Sequence, residues 1–176
     1  MAQIVGYIAS SLDGFIATKT DTLEWLTKYE MPKTDDFSYE KFIAPIRTVV
    51  MGRGTWDYLE REGFTAMYAD KRAIVVTSRP IENKPEHIEI WQGSIDDLVA
   101  EMRALTDGPV WMIGGGKLQM AFMERGALDE IEIYVMPELI GGGYPLFPPT
   151  GYVKTVTLIS ATTMPHGCVR LHYRLS

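Results

Sequence analysis

The stretch that decides the fold is Val49–Trp56, which reads VVMGRGTW. Its apolar start predicts a buried strand, and Gly52 and Gly54 let the backbone that follows come close to a ligand. Arg53 adds a guanidinium fork suited to phosphate, and Thr55 adds a hydroxyl. Because a helix is predicted to begin here, its free N–H groups face the same place. The stretch therefore predicts a phosphate-binding turn, with a plain strand-to-helix turn and a solvated arginine as the alternative.

A second segment of the same design is Ile74–Pro80, which reads IVVTSRP. Here an apolar strand is followed by the hydroxyls of Thr77 and Ser78 and by the guanidinium of Arg79. Hydroxyl and guanidinium groups gathered at the end of a strand suit a phosphate. The alternative is a capped turn that Pro80 terminates, because proline interrupts regular structure.

The third segment, Val110–Leu118, reads VWMIGGGKL and places Gly114–Gly116 between a buried strand and a helix, with Lys117 next. Three glycines let the backbone lie against a flat or phosphorylated ligand, although plain close packing is the alternative. The GxGxxG fingerprint is absent because Gln119 stands where its last glycine belongs, and no P-loop pattern occurs. Together, the three segments predict a site for a dinucleotide that carries an extra phosphate.

Composition excludes several classes of protein. The 176 residues carry a net charge of −6, which argues against nucleic acid or an anionic membrane as the main partner. Cys168 is the single cysteine and the three histidines are scattered, so we expect neither an intrachain disulfide nor a metal site. The chain lacks a signal-peptide pattern and an apolar run of about 18 residues. We therefore expect a cytoplasmic protein that acts on a small molecule.

Apolar β-branched segments alternate with helical patterns, which is typical of an α/β protein. We predict one domain over residues 1–176, with a mostly parallel sheet, helices on both faces and a C-terminal antiparallel hairpin. The predicted strands are Ile4–Ala9, Thr48–Met51, Ala73–Thr77, Val110–Ile113 and Ile131–Val135, and the hairpin pairs Thr155–Thr163 with Cys168–Leu175. Ligands of open α/β sheets bind at the carboxyl ends of the strands, where the glycine-bearing loops lie. The exposed edge of the hairpin favours a homodimer.

The ordered set of segments resembles the dihydrofolate reductase superfamily. Val49–Trp56 is similar to its MGR-x-TW segment, Thr77–Pro80 to its second phosphate-binding turn and Ile113–Gly116 to its third loop. Ser11–Ala17 and Leu139–Pro148 (LIGGGYPLFP) are more similar to the related reductase domain of riboflavin biosynthesis. The resemblance implies a three-layer dihydrofolate-reductase-like fold and an NADPH-dependent reductase.

The resemblance also implies how NADPH would be bound. Arg53 and Ser78 would sense the 2′-phosphate, with Arg79 or Lys117 assisting. Ala9 and Ile16 would flank the nicotinamide, and the first Gly-Gly bond of the third loop would be cis. The whole cofactor-binding set is Ala9, Ile16, Gly52, Arg53, Thr55, Thr77, Ser78, Arg79, Gly114, Gly115, Gly116 and Lys117.

On the substrate side, the resemblance places a catalytic carboxylate at Asp36. Burial raises the pKa of a carboxyl group, which would suit proton delivery to a pteridine. The alternative is that Asp36 caps the helix beginning at Phe37, a role for which Asp35 competes. A ribosylaminopyrimidine phosphate, the other substrate implied, would need a basic pocket, for which Lys19, Lys71 and Arg72 are candidates. A non-catalytic NADPH-binding module remains the third alternative.

Overall fold

The computed structural model describes residues 1–30 and 33–175. This part of the chain contains ten strands, namely β1 Ile4–Ser11, β2 Phe15–Ala17, β3 Thr48–Gly52, β4 Arg72–Val76, β5 Ile88–Trp91, β6 Val110–Gly114, β7 Glu130–Met136, β8 Tyr144–Pro145, β9 Thr157–Thr163 and β10 Val169–Arg174. The α-helices are α1 Glu24–Thr27, α2 Tyr39–Ile43, α3 Arg53–Arg61, α4 Ile95–Ala104 and α5 Gly116–Glu124. None of the helices in these two ranges is long and apolar enough to cross a membrane.

Eight strands form one sheet in the order β5-β4-β3-β6-β1-β7-β10-β9. The first six of these strands run parallel to their neighbours, whereas β10 pairs antiparallel with both β7 and β9. The predicted parallel sheet with a C-terminal antiparallel hairpin is therefore confirmed. Because the parallel strands share one direction, their last residues meet at one edge of the sheet, which we call the carboxyl edge. The opposite edge, where these strands begin, is the amino edge.

Both faces of the sheet are covered by helices, as predicted. Strand β3 contributes to the hydrophobic core on both faces of the sheet. Val49 and Met51 pack into the core on one face, and Val50 packs into the core on the other. This alternation follows from the two-residue period of a strand. Trp25 of α1 and Trp56 of α3 pack on the face of Val49. On the other face lie buried side chains of α4 and α5, among them Leu98, Met102 and Phe122.

Serine side chains cap helices α4 and α2. Ser94 caps α4, since its Oγ accepts from the backbone N–H of Asp97 at 3.0 Å. Helix α2 is capped by Ser38, whose Oγ accepts from Lys41 N–H at 3.2 Å. The prediction that Asp36 caps this helix is wrong because α2 begins only at Tyr39, three residues further on.

Two features lay outside the sequence prediction. The edge strand β5 is only four residues long, Ile88–Trp91, and its pattern is not distinctive. The pair β2 and β8 forms a small separate sheet, in which Phe15 lies opposite Pro145 and Ala17 opposite Tyr144. This second sheet fastens the loop after β1 to the loop after β7, and both loops lie at the carboxyl edge.

Candidate functional site

The first and third glycine segments meet at the carboxyl edge. A Cβ atom placed on Gly52 would lie 3.6 Å from the amide nitrogen of Gly115 and 3.7 Å from the carbonyl oxygen of Gly114. A Cβ atom on Gly115 would in turn lie 4.0 Å from Oγ1 of Thr55. The two turns therefore face one another across a narrow cradle that larger residues would narrow further. Helices α3 and α5 begin on either side of it.

The second segment joins the same cradle through Arg53. Its Nη1 donates to the carbonyl oxygen of Pro80 at 2.8 Å and to that of Arg79 at 3.2 Å. Thr77 is buried, and its Oγ1 accepts from the backbone N–H of Arg79 at 3.1 Å, which fixes the turn. Ser78 and Arg79 are exposed on this turn. The structure thus brings the three predicted segments to one place.

Asp57 lies between the two arginines of this site, and the sequence reasoning missed it. Its Oδ1 is 2.5 Å from Nε of Arg53, one turn earlier on α3, and its Oδ2 is 3.5 Å from Nη2 of Arg79. The spacing of four residues on a predicted helix was the available signal, because such pairs face each other. The charge at the site is therefore two guanidinium groups against one carboxylate.

The loops after β1, β6 and β7 touch one another beside the cradle. Cδ1 of Ile16 lies 3.9 Å from the place where a Cβ on Gly115 would sit, so Ile16 lies beside the third loop, and its role next to a nicotinamide stays a prediction. A Cβ on Gly116 would lie 2.7 Å from the carbonyl oxygen of Pro145, which leaves no room for a side chain. The Gly114-Gly115 peptide bond is cis, as the resemblance implied. Ala9 is half-buried in β1, and Lys117 is exposed in the first turn of α5.

Asp13 holds two of these loops together. Its carboxylate accepts from the Ser11 hydroxyl at 2.6 Å and from the backbone N–H groups of Gly141 at 2.7 Å and Ile140 at 3.2 Å. The Ser11 hydroxyl, followed by these two N–H groups, holds the pKa of Asp13 below its ordinary value. Gly14 closes the turn by donating to the Ser11 carbonyl at 3.0 Å with a φ of +87°. Asp13 and Gly14 therefore form a turn that ties the loop after β1 to the loop after β7.

The substrate side departs from the prediction. Asp36 is exposed, so the expectation that it is buried in a pocket is wrong. Aromatic side chains near it face the sheet instead: the ring of Phe37 lies 4.0 Å from the guanidinium carbon of Arg170, and Phe42 stacks on Tyr7 with ring centroids 4.3 Å apart. The space below α2 is therefore packed with aromatic rings, and a catalytic role for Asp36 stays a prediction.

A carboxylate does lie next to this aromatic cluster, but it comes from β7. Glu132 accepts from Nε of Arg170 at 2.7 Å and from the hydroxyl of Tyr134 at 3.3 Å, and the Arg170 side chain is only 3% exposed. The neighbouring Tyr7 hydroxyl is buried and has no hydrogen-bond partner among the described residues. Burial, with Tyr134 and then Glu132 adding to it, raises the pKa of Tyr7 far above its ordinary value. The Tyr7 hydroxyl is thus neutral and can donate a hydrogen bond. The sequence did not reveal this role, because the alternating pattern of β1 does not distinguish Tyr7 from the other buried residues of the strand.

The basic candidates for a substrate phosphate separate between the two edges. Arg72 begins β4 at the amino edge, where its Nη2 lies 2.7 Å from Oε2 of Glu89 and it also pairs with Glu101. Lys71 precedes it and donates to the carbonyl oxygen of Ile46 at 3.2 Å. These two are wrong as phosphate ligands for a site at the carboxyl edge. Lys19 does lie at that edge, with Cε 3.0 Å from where a Cβ on Gly142 would sit.

The sequence of this chain matches a known protein family and a related bacterial protein. Residues 44–169 match the RibD C-terminal domain family. The Bacillus subtilis protein YwjB, which is described as uncharacterised, is 31% identical over 97% of each chain.

Two solved structures share the fold. A structure from Shewanella sp. PV-4, described as a candidate riboflavin biosynthesis protein, has a TM-score of 0.84 and 25% identity, and the match covers 100% of this chain and 99% of that one. The Thermotoga maritima diaminohydroxyphosphoribosylaminopyrimidine deaminase/5-amino-6-(5-phosphoribosylamino)uracil reductase has a TM-score of 0.70 and 16% identity. The match covers 99% of this chain but 57% of that protein.

Proposed function

We propose that this chain, which belongs to the RibD C-terminal domain family, is an NADPH-dependent reductase. The observation that carries the proposal is the meeting of Arg53, Thr55, the turn at residues 77–80 and Gly114–Gly116 around one cradle. Its reaction would be hydride transfer to a C=N bond of a pteridine or to the ribose-derived carbon of a ribosylaminopyrimidine. The reductase named in the Thermotoga maritima protein is of the second kind.

The residues present fit a phosphorylated dinucleotide. Helices α3 and α5 each have nine residues and a glycine at the N-cap, and neither has an acidic residue in its first turn. Their first N–H groups, together with Arg53 and the Thr55 hydroxyl, form a set of donors for phosphate oxygens. NADPH supplies the hydride when bound. The chain's own part is to hold donor and acceptor in contact, with Ile16 and Ala9 beside the reacting ring, and to exclude water.

Between the two substrate classes, the ribosylaminopyrimidine phosphate has the better support. The carboxylate expected to hold a pterin, Asp36, is exposed, and aromatic rings fill the space below α2. Lys19, by contrast, lies among the loops of the carboxyl edge, where an ammonium group suits a phosphate. We therefore propose the phosphoribosylaminopyrimidine as the first substrate to test and dihydrofolate as the second.

Two measurements test the reductase proposal. In a thermal-shift titration we expect NADPH to raise the melting temperature more than NADH, because binding to the folded state stabilises it. Equal stabilisation by both cofactors would count against the assigned 2′-phosphate site. With NADPH present, the loss of absorbance of the reduced nicotinamide should follow addition of the phosphoribosylaminopyrimidine and should be slower with dihydrofolate.

A second candidate function, a non-catalytic NADPH-binding module, is favoured by the exposure of Asp36. Such a module would bind NADPH and show no turnover with either substrate. If turnover is found, Asp36→Asn separates the remaining alternatives, because a catalytic Asp36 predicts loss of reduction with an unchanged fold. Full activity in this variant would remove Asp36 from the mechanism.

The cytoplasmic location and the homodimer stay predictions. Strand β9 is the edge strand that a second copy would pair with, and its sequence, TLISATT, contains no charge and no proline. Leu158 and Ile159 of this strand are exposed. Edge strands without such protective residues tend to pair with another chain. Light scattering after size exclusion would give the mass of the particle in solution.

A further inference from the structure

We propose that Asp57 sets how strongly the site prefers NADPH over NADH, by sharing its one carboxylate between Arg53 and Arg79. The inference rests on the proposed function, because it concerns the same cofactor site. Three contacts support it: the ion pair of Asp57 with Arg53, its longer ion pair with Arg79, and the hydrogen bonds from Arg53 to the turn that carries Arg79.

Arg53 is held on two sides. Nε lies 2.5 Å from Oδ1 of Asp57, and Nη1 donates to the carbonyl oxygens of Arg79 and Pro80 at 3.2 and 2.8 Å. Its side chain is only 21% exposed. A guanidinium group with most of its fork already engaged has little freedom to reorient around a phosphate. Arg53 therefore acts first as a positioning residue that fixes the turn at residues 79–80.

Arg79 is held much more loosely. Its side chain is 67% exposed. Within the described part of the chain, its guanidinium group pairs with Oδ2 of Asp57 at 3.5 Å. An exposed ion pair of this length contributes little, so the guanidinium group can leave the carboxylate at small cost. The structure assigns to Arg79 the direct contact with a 2′-phosphate.

The charge balance gives Asp57 its effect. Two guanidinium groups and one carboxylate leave a surplus of one positive charge, against a phosphate monoester that carries about −1.5 to −2 at neutral pH. The Asp57 carboxylate would repel that phosphate. It would instead accept a hydrogen bond from the 2′-hydroxyl that stands in place of the phosphate in NADH. Asp57 thus weakens NADPH and tolerates NADH, which makes it a specificity-determining residue.

The test compares wild-type protein with Asp57→Asn, which keeps the shape of the side chain and removes its charge. The ratio of the dissociation constants for NADH and NADPH should rise about ten-fold in the variant, as expected for one unit charge close to a phosphate near the surface. The gain should shrink as salt is raised, because exposed charges are screened. Where turnover is measured, the change should fall on the KM for NADPH and not on kcat.

Glu89→Gln is the matched control. Glu89 also pairs with an arginine, since its Oε2 lies 2.7 Å from Nη2 of Arg72, but it lies away from the glycine loops on β5. The substitution changes the net charge by the same amount as Asp57→Asn. We expect it to leave the ratio of the two dissociation constants unchanged, which excludes an effect of overall charge.

Each outcome decides between the proposals. If both proteins bind the cofactors and the ratio of the dissociation constants for NADH and NADPH is the same in Asp57→Asn as in wild type, the role of Asp57 is refuted and the reductase proposal stands. If neither protein binds either cofactor, both proposals fail. Arg79→Gln gives an independent test: it should weaken NADPH and spare NADH, and an unchanged NADPH affinity would overturn the assignment of Arg79.

Discussion

The two edges of the sheet use arginine in opposite ways. At the carboxyl edge, Arg53 and Arg79 share the single carboxylate of Asp57. At the amino edge, Arg72 alone contacts both Glu89 and Glu101. Within these two clusters, the surplus is one positive charge in the first and one negative charge in the second. An arginine beside a strand end therefore indicates an anion site only when the carboxylates around it are too few to neutralise it.

A second arginine of the amino edge shows the same structural use. Arg103 pairs with Asp129 and also donates to the carbonyl oxygens of Ala2 and Ala127 at 3.0 and 3.1 Å. Asp129 in turn accepts from the backbone N–H of Ile4 at 2.8 Å. This network ties the start of β1 to the start of β7. We expect changes to the arginines of the amino edge to alter stability and changes to the arginines of the carboxyl edge to alter cofactor binding.

The largest effect is expected from Gly143→Ala at the carboxyl edge, where loops meet backbone to backbone. A Cβ on Gly143 would overlap the carbonyl oxygen of Ala17, so the β2–β8 pairing has to shift. We expect the free energy of unfolding to fall by about 3 kcal/mol, near the upper range for single substitutions.

Gly141→Ala is the matched control for this close approach. Gly141 has a φ of +73°, yet a Cβ there would meet nothing within 4 Å. Its cost should be that of the left-handed conformation alone, about 1–2 kcal/mol. Urea unfolding measures both variants, and equal losses for the two would show that contact between the loops does not stabilise this edge.

The next largest effect is expected from Arg53→Ala. The variant removes one charge of the site and also the hydrogen bonds to the carbonyl oxygens of Arg79 and Pro80. Without that charge, and with the turn that carries Arg79 no longer held in place, NADPH affinity should fall about 10- to 100-fold, or about 1.4–2.8 kcal/mol. NADH, which lacks the 2′-phosphate, should lose far less, and calorimetric titration of both cofactors decides. An equal loss for both would contradict the assigned site.

Much of this carboxyl edge was predictable from the sequence because its signals are local. Val49–Trp56 combines an apolar strand, two glycines and a helix start within eight residues, and the structure reproduces each part as β3 and α3. The ordered resemblance added the cis Gly114-Gly115 peptide bond in the loop that faces this turn.

The missing parts depend on contacts between distant residues. Asp57 becomes part of the site only because the turn at Arg79 folds back over α3. Asp36 was expected to be buried by counting positions without gaps, whereas α2 is short and begins three residues later. Tyr7 packs against four rings that three other elements, α2, β6 and β7, contribute, and no spacing in the sequence encodes such a cluster.

A smaller effect is expected at the amino edge from Arg72→Met. The change leaves Glu89 and Glu101 facing each other without the cation that joins them. Both carboxylates are partly exposed, so we expect the free energy of unfolding to fall by only about 1 kcal/mol. NADPH affinity should stay within about two-fold of wild type, since salt screens charges beyond roughly 8–10 Å. A large loss of NADPH binding would mean that the two edges are not separate in function.

The smallest effect is expected for the pH dependence of the loop contact made by Asp13. Neutral hydrogen-bond donors hold this contact, whereas ion pairs hold the amino edge. The pKa of Glu89 is lowered chiefly by a hydrogen bond from the charged guanidinium group of Arg72, whereas that of Asp13 is lowered by the neutral Ser11 hydroxyl and the N–H groups of Gly141 and Ile140. A carboxyl group whose pKa is lowered on folding stabilises the fold at pH values above its pKa in the unfolded state. It loses that contribution as the pH falls through its pKa in the folded state. The Asp13 contact should therefore persist at neutral pH and be lost only below the ordinary value of 3.8.

The amide resonance of Gly141 in an NMR titration reports this contact directly. It should move with a midpoint below 3.8, and Asp13→Asn should abolish the movement. Added salt should leave this midpoint nearly unchanged, because neutral donors hold the carboxylate, whereas the midpoint of Glu89 should rise as its pair with Arg72 is screened. A Gly141 midpoint that rises with salt as much as that of Glu89 would show that charge, and not hydrogen bonding, holds the loops of the carboxyl edge.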